Sequence, residues 1–458
     1  MQNKKLRILA FLAVLVGGAA LQAQSTNPTY RFVTNLGNIN VILTPNTTPI
    51  TVANFLSYVN SGAYNNVIFH RSVPGFVIQA GGYQYVPGAA YPNNVLAITQ
   101  LSPIMSEYGA TNATGTIAMA LTSSSSGATN INSGTSEWFF NLSNNNGGNA
   151  NNTNLDSEMF TVFGSIASND AASLKVMNAI GSAQVIDESS LYGADFTTCP
   201  LGQGGSFLIV SSIVPVPSIT AAGFESAASY AQTQNNGIAP GELLVIYGQQ
   251  LGPTTLATGT ITNNVLNNSL AGTQVLFNGK AAPLYYTSAG QISVVAPYSI
   301  AGLPTVDVVV SYNGVQSNTA VFQVKAANPA IFTQNVSGTG DGVIFHPDFV
   351  TPVNAAKPAS VGEALIMYAE GYGAPTAATT VADGSIIGSV VPVVAGAYSL
   401  LIDGQTVPTL YFGGAPGLVN GILQVNFQVP AGLAPGTHQI QLSVAGRTSP
   451  TGVTLRTQ

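Results

Sequence analysis

A seven-residue strand pattern occurs twice in this chain. Gly241-Glu242-Leu243-Leu244-Val245-Ile246-Tyr247 returns 121 residues later as Gly362-Glu363-Ala364-Leu365-Ile366-Met367-Tyr368. Two further matches follow in the same order. Asn278-Gly279 with Pro283 and Tyr286 returns as Asp403-Gly404 with Pro408 and Tyr411, and QISVVAP at 291–297 returns as QVNFQVP at 424–430. The offset grows along the chain, as loop insertion would make it. Each copy therefore has to be a complete β unit, and two tandem β-sandwiches are expected at 218–326 and 327–456. Within the first copy, Asn278-Gly279 and Asn313-Gly314 read as two-residue hairpin turns, because both central positions require positive φ.

The repeats are preceded by a joint, Val214-Pro215-Val216-Pro217-Ser218, which is too Pro-rich to continue a central sheet. Before the joint the texture changes. Residues 30–43 alternate like a strand pair about a Leu36-Gly37-Asn38 turn. Residues 51–60 place Val52, Phe55, Leu56 and Val59 at helical spacing, and 171–180 do the same with Leu174, Val176, Met177 and Ile180. Two helices among short apolar strands point to an antiparallel barrel or sheet with helices at its ends. Residues 141–154 hold 8 asparagines in 14 positions and read as a loop.

Charge narrows the function. Only 11 Lys+Arg and 17 Asp+Glu occur in 458 residues, 6% against about 25% in an ordinary soluble domain. A net charge of −6 leaves no basic footprint for nucleic acid. The chain is also too poor in charge for a coiled coil, and its 46% hydrophobic content argues against disorder. The remaining choices are a membrane protein or a β-rich chain with an uncharged polar surface. Lys4, Lys5 and Arg7 precede an uncharged run at 8–21 and a small residue at Ala23, which reads as a signal peptide over 1–23. The run is shorter than the roughly 20 residues that span a bilayer. A second uncharged stretch, 384–402, contains Pro392 and three serines and reads as strands about a turn. The expectation is an exported chain, periplasmic or extracellular, with no membrane span once mature. Removal of 1–23 would leave 8 basic and 17 acidic residues, a net of −9. Cys199 is the only cysteine, so no intrachain disulfide can form.

The usual catalytic constellations are missing. His70, His346 and His438 fall in three separate segments without metal-type spacing. There is neither a Gly-Lys-Ser/Thr phosphate loop nor a G-x-S-x-G elbow. Asp156 and Glu158, one residue apart, suit a loop surface. No metal or cofactor is expected. One segment stands out, FHRSVPGFVIQAGG at 69–82. Positions 77 and 79 share a strand face, and a Pro74-Gly75 turn folds Arg71 back beside them. A guanidinium is thereby placed against an apolar floor, an arrangement that a structural arginine on a core strand would also produce.

This segment resembles the hallmark of cyclophilin-type peptidyl-prolyl cis-trans isomerases. In order after it, residues 104–107 and Gly115-Thr116-Ile117-Ala118-Met119-Ala120 resemble the bacterial run ending in G-T-I-A-M-A. Ser136-Glu137-Trp138-Phe139-Phe140-Asn141-Leu142 resembles S-Q-F-F-I-N-L, and Leu155-Asp156 with Phe160 to Gly164 resembles L-D…F-T-V-F-G. The resemblance covers 28–213, placing an isomerase domain at 28–215, and the repeats resemble Ig-like domains of secreted bacterial proteins. It implies a closed eight-stranded barrel capped by two helices, and proline-containing polypeptides as substrates. An X-Pro bond rotates over a barrier of about 20 kcal/mol set by amide resonance, so the enzyme has only to favour the twisted amide. By the resemblance Arg71 donates to the prolyl region, Phe76, Val77, Phe139 and Leu155 hold the proline ring, and Gln79 steers Arg71 and bonds substrate backbone. Met119, Ala120 and Glu137 complete the substrate contacts.

The sequence departs from the family in places. Leu121 stands where many relatives carry a polar residue, and Glu137 replaces Gln. Asn154 replaces the Trp of cyclosporin-sensitive relatives, so weak cyclosporin binding is expected. Met159 or Phe160 stands where His is frequent, and 123–135 is longer than usual. A second reading is a non-catalytic binding or adhesion protein, its barrel and repeats recognising a cell-surface or extracellular ligand. Glu242 and Glu363, at equivalent repeat positions, are expected to cap turns.

Overall fold

The computed structural model describes residues 27–458 apart from 92, 125–126, 148–153 and 380. The expected signal peptide lies outside the described residues, as does the centre of the Asn-rich loop. The chain forms two compact units that meet in sequence at Val216/Pro217.

In the first unit one sheet runs through eleven strands. These are β1 (Thr29–Thr34), β2 (Gly37–Leu43), β3 (Val67–Ile68), β4 (Arg71–Val73), β5 (Val77–Ala80), β6 (Tyr83–Tyr85), β7 (Val95–Ala97), β8 (Thr116–Met119), β9 (Trp138–Asn141), β10 (Val162–Ser165) and, after a separate hairpin of β11 (Gln184–Ile186) and β12 (Cys199–Leu201), β13 (Ile209–Val216). The hydrogen-bonded order is β4-β5-β9-β8-β10-β2-β1-β13-β3-β6-β7. Alternation along β2 buries Ile39, Val41 and Leu43. These join Phe32, Phe55, Tyr64, Trp138, Phe140 and Phe163 in an aromatic-rich core. Two helices of more than ten residues close on it. The first, α1 (Pro49–Asn60), has proline in its first turn, where a missing N–H costs nothing. The Glu107 carboxylate accepts from the free Ile50 and Thr51 amides at 3.0 and 2.8 Å. The second, α2 (Ala171–Gly181), is capped by Asp170 accepting from Ser173 N.

The architecture is mainly β and curled, but the described ladder is not the closed eight-stranded ring that the resemblance implies. β4 and β7 form its two ends. The ladder changes partner between β3 and β4, where β3 pairs with β13 and β4 with β5. Phe69 and His70 lie between them on opposite faces, Phe69 in the main core beside Trp138 and His70 against Tyr83 and Phe196. Register shifts at Val33/Thr34 and Val162/Gly164 add to the curl.

The second unit is strand-rich, and its pairings repeat. Strand Leu243–Gln249 pairs with Gln291–Val295, which pairs with Leu284–Thr287. Ala364–Glu370 likewise pairs with Leu423–Gln428, which pairs with Thr409–Gly414. Each set faces a second sheet across its own core. Asn278-Gly279 and Asn313-Gly314 turn with φ of 47°, 81°, 49° and 81°, as expected of their hairpins. Glu242 and Glu363 each accept the backbone N–H three residues earlier, from Ala239 and Ser360 at 2.7 and 2.9 Å. Among the described residues no helix is long and apolar enough to cross a membrane.

Candidate active site

The site begins with a turn. Val73-Pro74-Gly75-Phe76 is closed by the Phe76 N–H donating to the Val73 carbonyl at 2.9 Å, with Gly75 at φ +72°. Proline fixes the second position and glycine supplies the positive φ of the third, as a type II turn requires. The turn reverses β4 onto β5 and sets Arg71 opposite Gln79. Gln79 is opposite Phe139 on β9, Phe139 is opposite Ala118 on β8, and Ala118 is opposite Val162 on β10. Five residues from five strands thus line up in one cross-strand row. The neighbouring row, Ser72-Ile78-Phe140-Ile117, faces the opposite way, with Ile78, Phe140 and Ile117 in the core.

The row builds a polar end and an apolar floor. Val77, Ala118, Phe139, Leu155 and Val162 form a small buried cluster distinct from the main core, flanked by half-buried Phe76, Ala120 and Phe160. The Phe139 and Phe160 rings meet edge to face with centroids 5.6 Å apart. At the polar end an Arg71 Nη donates to Gln79 Oε1 at 3.2 Å, and Gln79 Nε2 donates to Glu137 Oε2 at 2.7 Å. Behind them His70 Nε2 lies 3.6 Å from the same carboxylate oxygen. Burial lowers the Arg71 pKa, and the Glu137 charge opposes the shift. For Glu137, burial works against ionisation, but His70, Gln79 and Arg71 together hold its carboxyl below the ordinary value.

A buried asparagine cluster fixes the rim. Asn145 Nδ2 donates to the Phe76 carbonyl at 3.0 Å and to Asn141 Oδ1 at 2.8 Å. Asn141 Nδ2 donates to Asn112 Oδ1, and Asn112 Nδ2 donates to the Phe160 carbonyl, both at 3.1 Å. The turn carrying Phe76, the strand carrying Phe139 and the segment carrying Leu155 and Phe160 are therefore tied together. Asp156 belongs to this scaffold, accepting from the Asn112 backbone and side chain at 2.8 and 3.0 Å. Glu158 accepts from Thr129 on the surface.

Of the expected residues, the structure brings Arg71, Phe76, Val77, Gln79, Ala120, Phe139, Glu137 and Leu155 to this groove. Met119 is not among them. It pairs with Trp138 and is 2% exposed in the main core, because odd positions on β8 point inward. Ala118, Val162 and Phe160 line the groove without having been singled out as substrate contacts. For Ala118 and Val162 the only signal is alternation on strands distant in sequence.

The comparisons fall on this first unit. A family model described as cyclophilin type peptidyl-prolyl cis-trans isomerase/CLD matches residues 29–193. A peptidyl-prolyl cis-trans isomerase of Acinetobacter baylyi is 37% identical over 162 residues, covering 35% of this chain and 77% of that protein. Peptidyl-prolyl cis-trans isomerase A of Dickeya dadantii is 35% identical over 144 residues, 30% of this chain and 68% of its own. A crystal structure of a cyclophilin type peptidyl-prolyl cis-trans isomerase from Cryptosporidium parvum shares 19% identity, covers 41% of this chain and 97% of its own, and has a TM-score of 0.27.

Proposed function

We propose a reaction sequence in this groove from the premise that the chain belongs to the cyclophilin-type peptidyl-prolyl cis-trans isomerase family. It is an isomerase of X-Pro bonds. No bond is made or broken, so catalysis consists of binding the twisted amide better than either planar form. The proline ring lies on Phe139 and Val77, between Phe76 and Leu155. This excludes water and fixes the ring while the preceding residue swings. As the amide twists, its resonance is lost and the imide nitrogen gains a lone pair. Arg71 donates to the prolyl region at that stage. One of its five N–H donors is held by Gln79, which leaves others for substrate. Ala120 lines the side of the groove beside the residue before proline, and its small side chain leaves room there.

The observation that carries this reading is the row Arg71-Gln79-Phe139, a half-buried donor one strand away from an apolar floor. In an isomerisation assay on an X-Pro peptide with the full chain, Arg71→Ala is expected to lower kcat/KM roughly 100-fold or more, the scale of losing one preorganised donor. Equal rates for both proteins would overturn the assignment.

The chain is further read as exported, with two Ig-like sandwiches after the barrel that act as spacers or hold client polypeptides. Lys4, Lys5 and Arg7 before the apolar run support export. The recurrence of the same strand pairings in both repeats supports the sandwiches. Protein recovered from the periplasm or medium should begin at Gln24 by mass. A retained Met1 would count against export by this segment.

A further inference from the structure

The Gln79 side chain has one donating end and one accepting end, and both are committed. Arg71 can only donate, so it must face Oε1. Glu137, when ionised, can only accept, so it must face the NH2 group. A glutamine at position 137 would not impose this order, because an amide both donates and accepts. Resting on the isomerase reading above, we propose that Glu137 is a positioning residue. Its carboxylate fixes the orientation of Gln79 and thereby the direction in which Arg71 donates, and it does not itself contact substrate.

The surroundings are built for a carboxylate. Gly82 leaves the space it occupies, since a Cβ there would fall 2.7 Å from Glu137 Oε1. His70 is buried against it, 3.6 Å away, with its Nδ1 lacking a partner among the described residues. The titratable groups facing Glu137 are His70 and Arg71 at the start of β4, Tyr64 after α1, and Tyr83 on β6. If Glu137 is protonated, its O–H can donate to Gln79 Oε1. The amide is then free to reverse and turn its NH2 toward the guanidinium. The carboxyl pKa is held below its ordinary value, so this loss belongs on the acid side of about pH 4.5.

The test uses the full chain and three variants. Glu137→Ala should lower kcat about tenfold at pH 7, the worth of one charge-assisted hydrogen bond, with KM changed less than about twofold. Glu137→Gln, which donates and accepts as the protonated acid does, should hold the lowered kcat of acid at every pH and so lose the wild-type fall of activity. Gly82→Ala displaces the carboxylate without removing it and should also lower kcat. The Gln79 side-chain amide signals in NMR should shift in acid for wild type and stay fixed for Glu137→Gln. Wild-type kcat in Glu137→Ala, together with a Gln79 signal that does not titrate, would overturn the inference. If wild type and Arg71→Ala are equally slow while the Gln79 signal still titrates, the isomerase reading fails and the positioning role stands.

Discussion

At the residue scale the groove depends on very few polar atoms. Arg71 is one of 11 basic residues in 458, and it ends a row whose other members are apolar apart from Gln79. Phe139 carries the floor, and its position is set by the residues around it. Phe160 supports it edge to face, an arrangement worth about 0.5–1.5 kcal/mol beyond the area buried. Phe160→Ala should therefore reduce kcat/KM about threefold to tenfold, mostly through KM, because the proline seat loosens while Arg71 and Gln79 stay in place. Steady-state kinetics separate the two parameters. A change confined to kcat would mean that Phe160 acts on the polar end instead.

At the scale of elements, legibility followed locality. Both helices could be read, since their apolar spacing is complete within ten residues, although α1 begins two residues earlier, at Pro49. The turn at Pro74-Gly75 and the hairpin turns of the repeats were equally visible, because glycine, asparagine and proline announce their backbone angles. Arg71, Phe76 and Gln79 share one fourteen-residue segment, which made the polar end of the site readable. The floor was harder. Ala118 and Val162 are brought to Phe139 only by strand pairing. Met119 was misplaced because a motif names residues without saying which way each one points. The burial of His70 was hidden for a related reason. Nothing local marks it as buried until Tyr83, Phe196 and Glu137, 67 positions away, are seen beside it. The asparagine cluster illustrates the same limit. Asn141 and Asn145 fall in the stretch that reads as a loop, yet with Asn112 they are fully buried and bond to one another.

At the scale of the whole molecule, scarce charge makes each buried ion consequential, and the second unit contains the clearest case. Glu370 and Glu242 are both 0% exposed. Glu370 accepts from Ser226 Oγ and the Ala228 and Leu243 amides at 2.7, 3.0 and 2.7 Å. Glu242 accepts from Ala239 N and Asn328 Nδ2. Burial lifts the Glu370 pKa to about 7, and burial together with the nearby Glu370 charge lifts Glu242 well above its ordinary value. Tyr230 and Tyr285 face Glu370, and Arg447 faces Glu242. A carboxyl with a raised pKa binds more protons folded than unfolded, so its contribution to stability is full below about pH 4.5 and declines as pH rises toward 7. Asp403, whose pKa His438 lowers, acts with the opposite sign and only at lower pH. Hydrogen exchange of the strand Leu243–Gln249 in the full chain should therefore slow as pH falls from 7 to 4.5, after correction for intrinsic exchange. Glu370→Gln should flatten that dependence, because the group can no longer titrate, and should weaken protection throughout, because its new amide cannot accept from both Ala228 and Leu243. Protection that instead strengthens toward pH 7 in the wild type would show that the buried pair is compensated by charge and not held neutral. The source of that compensation would be Arg447, which already draws the Glu242 pKa downward.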